Sequence, residues 1–279
     1  MTTFQVLIES FLKALSTILP WSSSIPDALT RNTLEWSLPI EAIELITLMT
    51  ASLALLVFFR FDWLGILSAG ITSISRPMSL KSESRTLDQH ILVFLLIVGI
   101  PLILISKSLT SWVHDPEALP WPLVTGGGLF LVAIGLLASS RWNKRIRGLN
   151  HLRLIDAVLV GSLALLSAIP GIPLLALLWI GFAFSNYHYE AIAKYSALLL
   201  GISVFARTLE AIQTLSLKDA FSEVGALNSL AVVVVGFTVI WIGIETVQKS
   251  LSEESFKNYK WLSLASGIFL VTLHFMGKF

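Results

Sequence analysis

The sequence predicts an all-α integral membrane protein, with about six transmembrane helices and two re-entrant helical hairpins in inverted-topology repeats. Three observations predict it. The chain is 55% hydrophobic and 13% charged, whereas soluble domains carry about 25% charged residues. Apolar runs of membrane-spanning length recur along it, separated by short basic or acidic loops. Two of its apolar stretches are interrupted by paired prolines, at Pro20–Pro26 and Pro170–Pro173. A backbone break inside an apolar run is costly in lipid unless protein or a water-filled cavity surrounds it. No stretch of the 279 residues is polar enough for a soluble domain, so 1–279 reads as a single membrane domain.

The first element is amphipathic. Phe4, Leu7, Ile8, Phe11, Leu12, Leu15 and Ile18 recur at helical spacing, with Glu9 and Lys13 between them. The helix predicted here ends at Leu19-Pro20-Trp21-Ser22-Ser23-Ser24-Ile25-Pro26, the tip (19–26) of the first re-entrant hairpin. Clear spans follow at Pro39–Phe59, Ile91–Ile105 (with Pro101 as a kink) and Pro122–Ser140. Between the first two, Phe61–Ser75 reads as a short interfacial helix. Gly126-Gly127-Gly128 inside Pro122–Ser140 permits close helix packing. The second hairpin occupies Leu154–Phe184, with its tip at 169–174, and Glu190–Ala206, Leu227–Val247 and Trp261–Met276 complete the set.

Loop charge sets orientation. The segment 60–87 holds Arg60, Arg76, Lys81 and Arg85, and 141–153 holds Arg141, Lys144, Arg145, Arg147 and Arg153. The loop 108–121 has neither Lys nor Arg but has Asp115 and Glu117. Loops 60–87 and 141–153 are therefore predicted cytoplasmic and both termini outside. Residues 1–107 then form one repeat and 154–247 its inverted copy, with 108–153 connecting them and 248–279 as the final span.

Composition narrows function. There are no cysteines, which excludes disulfides and thiolate metal sites. The net charge of +1 gives no reason to expect nucleic acid. The start of the chain lacks the basic, apolar and small-residue pattern of a removable signal peptide. No P-loop, dinucleotide fingerprint or nucleophile elbow is present. His90, His114, His151, His188 and His274 are scattered without metal-ligand spacing, so no metal or cofactor is expected.

Several residues carry two readings. Ser22, Ser23 and Ser24 supply hydroxyls either to a lipid phosphate or to the backbone of the hairpin tip. Lys13 supplies a cation to an anionic head group, pairs with Glu9 at i,i+4, or snorkels to the interface. Glu41 and Glu44 sit near the outer boundary and read as solvated, with an acid/base role as the alternative. Glu190 and Lys194 form another i,i+4 pair beside the second hairpin. His188, in Asn186-Tyr187-His188-Tyr189-Glu190, either contacts a head group or belongs to an interfacial aromatic belt.

Leu19-Pro20-Trp21-Ser22-Ser23-Ser24 resembles the first signature of the undecaprenyl pyrophosphate phosphatase (bacitracin-resistance) family, roughly Glu-Gly-x-Thr-Glu-Phe-Leu-Pro-(Val/Ile)-Ser-Ser-(Ser/Thr)-Gly-His. Ile169-Pro170-Gly171 resembles the start of the second, Pro-Gly-x-Ser-Arg-Ser-Gly-Ala-Thr. Tyr195-Ser196-Ala197-Leu198-Leu199 is similar to the family's Phe-Ser-Phe-Leu-Leu. Gly126-Gly127-Gly128-Leu129-Phe130-Leu131 and Asn258-Tyr259-Lys260-Trp261 fit the family's order of elements, so the resemblance covers nearly the whole chain. It implies two re-entrant hairpins in inverted repeats, a bacterial inner (cell) membrane, and a polyprenyl phosphate or other membrane lipid as partner.

The departures from the resemblance fall on the chemistry. The family's two glutamates fall on Lys13 and Thr17, and its histidine on Pro26. Its Ser-Arg-Ser-Gly, whose arginine would clamp phosphate, falls on Pro173, Leu174, Leu175 and Ala176. The resemblance therefore implies a catalytically degenerate member, with no catalytic residue assigned. Lys13, Ser22, Ser23, Ser24 and Gly171 are the lipid-phosphate candidates, with Glu190 and His188 behind them. Two alternatives stand: an active lipid pyrophosphatase drawing on Lys13, Glu41 or Glu190, and an accessory subunit packed against a second copy or a partner membrane protein.

Overall fold

The computed structural model describes residues 2–19, 24–75, 87–113, 121–141, 146–148, 152–169 and 172–277. Pro20–Ser23, which include Ser22 and Ser23 of the first tip, and Gly171 of the second lie outside the described residues. So do the loop residues 76–86 and 114–120. Among the described residues every regular element is helical.

Helix α1 (Thr3–Ile18) opens with a capping box, in which the Thr2 side chain accepts from the Gln5 backbone N–H. It stops at Leu19, whose extended backbone suits a residue before proline. After the break come the short α2 (Ser24–Asp27) and a π-helical turn (Ala28–Thr33). α3 (Ile40–Phe58) is the most enclosed helix of the first half, and α4 (Arg60–Ser75) turns off it directly. α4 exposes Phe61, Leu64, Leu67, Ile71 and Ile74. α5 (Leu87–Val113) runs on through Pro101, and α6 (Trp121–Ser140) follows.

At the second break, as at the first, the residue before the proline is extended. α7 (Leu154–Ala164) tightens into a 3-10 turn (Leu165–Ala168). Ile169, which precedes Pro170, is extended, as its neighbour's ring demands. Pro173 then caps α8 (Leu174–Phe184). The two helices fold back on one another: a Cβ at Gly181 would lie 3.2 Å from Cα of Val160. α9 (Tyr189–Thr214), α10 (Leu217–Val224), α11 (Ala226–Ser250) and α12 (Glu253–Phe275) complete the chain.

Among the described residues four helices are long and apolar enough to cross a membrane: Ile40–Phe58, Pro122–Ser140, Tyr189–Thr214 and Ala226–Ser250. The other two predicted spans lie on α5 and α12. α12 is 23 residues long, but its first turns carry Glu253, Glu254, Lys257 and Lys260. The fold is thus that of an all-α integral, multi-pass membrane protein, and its outer surface agrees: Leu131, Ile134, Leu227, Leu230 and Val234 are exposed.

The core is centred on α8 and α9, with Phe94 of α5 and Phe256 of α12 packed on its aromatic side chains. Trp179, Phe182, Tyr187 and Tyr195 are all fully buried there. α1 packs on α11 and α3, while α6 pairs with α12. Both breaks border α6 at adjacent positions. Ile25 and Ala28 share an apolar cluster with Leu129, and Ile172 fills the space that a side chain on Gly128 would need.

Candidate functional site

α1 is amphipathic, as its spacing predicts, and the structure shows which side it buries. Its buried residues are Val6, Glu9, Ser10, Lys13, Ala14 and Ile18, whereas Phe4 and Phe11 are exposed. The charged residues face inward, while of the apolar stripe Phe4 and Phe11 face outward and Leu7, Ile8, Leu12 and Leu15 are half-buried. Where lipid is the solvent, this is the favourable arrangement, because intramembrane charges turn to the protein interior.

That inward stripe meets charges from three other elements. Lys13 is 6% exposed, so it does not snorkel. Its Nζ lies 2.7 Å from Asp27 Oδ1 on α2 and 2.9 Å from Glu44 Oε2 on α3. The i,i+4 partner Glu9 is farther, at 3.9 Å. Arg207 of α9 reaches the other Glu44 oxygen at 3.1 Å. Glu44, which the sequence suggests is simply solvated, is part-exposed but also bridges two cations, whereas Glu41 is exposed. Neither Arg207 nor Asp27 was marked by sequence reasoning.

A recess of about 40 Å3 opens beside this network, lined by Lys13, Ser16, Thr17, Glu44, Thr47 and Arg207 among others. It has room for a few waters at ~10–15 Å3 each. Ser16 and Thr17 both donate their hydroxyls to the Lys13 carbonyl, at 2.8 and 3.1 Å. Behind the recess, the Ser52 and Thr208 hydroxyls are hydrogen-bonded at 2.9 Å and join α3 to α9. Chemically, the recess presents Lys13 and Arg207 on its wall, bridged by Glu44. Asp27 and Glu9 are also paired to Lys13, so an entering anion competes with carboxylates for the two cations. That set can hold an anion with charge-assisted hydrogen bonds.

The second break is different in character. Ile172, Leu175 and Ala176 are buried among apolar groups. His188 caps α9 with its backbone, and both its side chain and that of Glu190 are exposed. Lys194 does not pair with Glu190: its Nζ lies 2.7 Å from Asp62 Oδ1 of α4. The structure therefore brings Lys13 together with Glu44 and Arg207 but leaves His188 and Glu190 apart from them. Ser24 lies at the start of α2, the element that supplies Asp27.

A polar latch holds the second unit to the basic loop. Arg147 Nη1 donates to both Asp156 oxygens at 3.1 Å, and the fully buried Tyr187 donates to Asp156 Oδ2 at 2.8 Å. Burial and the Asp156 carboxylate push the Tyr187 phenol well above its ordinary range. Among the described residues no group of three or more metal-ligating side chains assembles.

Known proteins share this chain from end to end. It is 28% identical over 258 residues to an undecaprenyl-diphosphatase of Gemmatimonas aurantiaca, covering 92% of each chain. It is 26% identical over 289 residues to undecaprenyl-diphosphatase 2 of Streptomyces coelicolor, covering 99% of this chain and 96% of that one. The family described as bacitracin resistance protein BacA matches residues 6–269, a span that takes in both broken helices, the Lys13 network and most of α12, and the chain belongs to that family.

Proposed function

We propose that this chain binds the phosphate-bearing end of a polyprenyl lipid in the membrane, at the recess bordered by Lys13, Glu44 and Arg207, without its relatives' hydrolytic turnover. The observation that carries the reading is the pair of cations on one recess beside the first break. On the resemblance, Lys13 stands where the family has the first of two glutamates and Thr17 where it has the second. Exchanging a carboxylate for an ammonium favours holding an anion over activating water. The apolar burial of Leu175 and Ala176, where the resemblance expects a serine and a glycine beside the clamping arginine, supports the loss of turnover.

The same reading places both broken units as re-entrant hairpins. α7 and α8 are 11 residues each, about 16 Å of helix, roughly half of a ~30 Å hydrocarbon core. Residues 1–107 and 154–247 are then inverted repeats, with loops 60–87 and 141–153 cytoplasmic and both termini outside.

A second reading, lipid diphosphate hydrolysis, is favoured by Glu44, a carboxylate on the recess wall held between two cations. One assay separates the two. Purified protein is incubated with a polyprenyl diphosphate, phosphate release is followed, and retained lipid is identified by mass spectrometry. The expected result is an enriched polyprenyl species and no release above a heat-inactivated control. Turnover that is abolished by Glu44→Gln establishes hydrolysis. If no polyprenyl species is enriched, the lipid reading fails and an accessory role takes its place.

A further inference from the structure

One member of the Lys13 network is placed unlike the rest. Glu9 is fully buried, and neither of its carboxylate oxygens accepts a hydrogen bond. The groups that face it can be taken element by element. Its own helix offers Lys13, at 3.9 Å. α2 brings Asp27, and the π-helical turn brings Thr30, whose hydroxyl donates instead to the Pro26 carbonyl at 2.9 Å. α3 brings Glu44, behind which stands Arg207 of α9. α11, the helix most extensively packed on α1, has no titratable residue from Ala226 to Ile244. Among the described residues Lys13 is thus the one cation that faces Glu9 directly.

The other two carboxylates have recourse. The Asp27 and Glu44 side chains are 41% and 36% exposed, and Glu44 keeps Arg207 even without Lys13. Glu9 has neither water nor a second cation. Its ionised form depends on the ammonium that an incoming phosphate would claim. A phosphate drawing Lys13 toward itself therefore removes the support of Glu9 and adds negative charge nearby. An ionised carboxylate stripped of water and partner is costly, and neutralising it by a proton is the cheaper outcome. A metal ion is a poor substitute, because the Lys13 ammonium already occupies the space between the carboxylates.

We infer that Glu9 takes up a proton when a phosphate-bearing lipid binds at Lys13, so that anion and proton enter this site together. The inference rests on the lipid-phosphate reading above and adds a linked ion to it. Linkage makes the affinity fall about tenfold per unit rise in pH wherever one proton is taken up.

The test is titration calorimetry of the full chain in detergent with farnesyl phosphate. It is run at pH 8, above the second phosphate ionisation, in two buffers of different ionisation enthalpy. The native chain is expected to take up about one proton per lipid bound. Glu9→Gln is expected to bind with no net uptake. Uptake that persists unchanged in Glu9→Gln assigns the proton elsewhere and overturns the proposal. Native binding without uptake overturns it whether or not the variant folds. Absence of any binding overturns the lipid-phosphate reading, and the proton linkage with it.

Discussion

Lys13 Nζ and Asp27 Oδ1 lie 2.7 Å apart across the first break, joining the second half of α1 to the last residue of α2. The pair does at this break what apolar packing does between α7 and α8 at the other. Lys13 is also the cation nearest the fully buried Glu9, and removing one side of a buried ion pair leaves uncompensated charge at a cost of about 3–5 kcal/mol. Lys13→Ala strands the fully buried Glu9 and takes a shared cation from Asp27 and Glu44, and should sharply lower the thermal midpoint in detergent. Lys13→Met combined with Asp27→Asn and Glu9→Gln should recover much of the loss. Lys257→Ala is the control, because it removes only an exposed pair with Glu253 at 2.6 Å and should leave the midpoint unchanged.

Arg207 tests the site without testing the fold. Its side chain is 50% exposed, and its contact with Glu44 joins α9 to α3 at the recess. Exposed pairs contribute little to stability, so Arg207→Ala should shift the midpoint only slightly. The same change removes one of two cations from the proposed phosphate site and should weaken polyprenyl phosphate binding by roughly tenfold, about 1.4 kcal/mol. Equal lipid affinity in the native and Arg207→Ala chains would remove Arg207 from the site.

The helices and both breaks were legible because their signals are local: apolar runs, prolines and the Leu19-Pro20 stop. The face that α1 buries was not legible. Hydrophobic periodicity locates an apolar stripe but does not say whether water or lipid lies outside it, and here the charged stripe is the one that turns inward. The site was only half legible. Lys13 stands out as a charge in an apolar helix. Arg207 and Glu44 are 163 residues apart and meet only through the packing of α9 on α3. Helix α10 had a local signal that went unread: Ser216 caps its start, accepting from the Asp219 N–H, and Gly225 ends it at φ 82°.

The glycine triplet in α6 makes a prediction with an internal control. A Cβ at Gly126 would lie 2.5 Å from Val271 Cγ2 and 3.2 Å from the Gly267 carbonyl oxygen. The α6–α12 pair therefore packs backbone to backbone there. Gly126→Leu should cost about 1–3 kcal/mol by overpacking. Gly127 faces open space, with nothing within 4 Å of an added Cβ. Gly127→Ala should be neutral or stabilising, by up to about 1 kcal/mol, since it removes a flexible residue from a helix interior. Thermal unfolding of the two variants side by side checks both statements.

Tyr187 sets the behaviour of the second unit at alkaline pH. The phenol is fully buried in the turn between α8 and α9 and donates to Asp156 at 2.8 Å. Its folded-state pKa is raised by burial and by the Asp156 carboxylate. An unfolded tyrosine ionises near pH 10. Below that pH the phenol is protonated in both states and stability does not depend on it. Above it the unfolded state loses the proton and the folded state keeps it, so stability falls as pH rises, by about 1.4 kcal/mol per unit for one group. Tyr187→Phe should be less stable at neutral pH, because Asp156 loses a donor, yet show a shallower decline above pH 10. Parallel alkaline slopes for the native chain and Tyr187→Phe would show that the Asp156 hydrogen bond does not hold this proton, leaving Arg147 and the Arg153 N–H as the groups that hold Asp156.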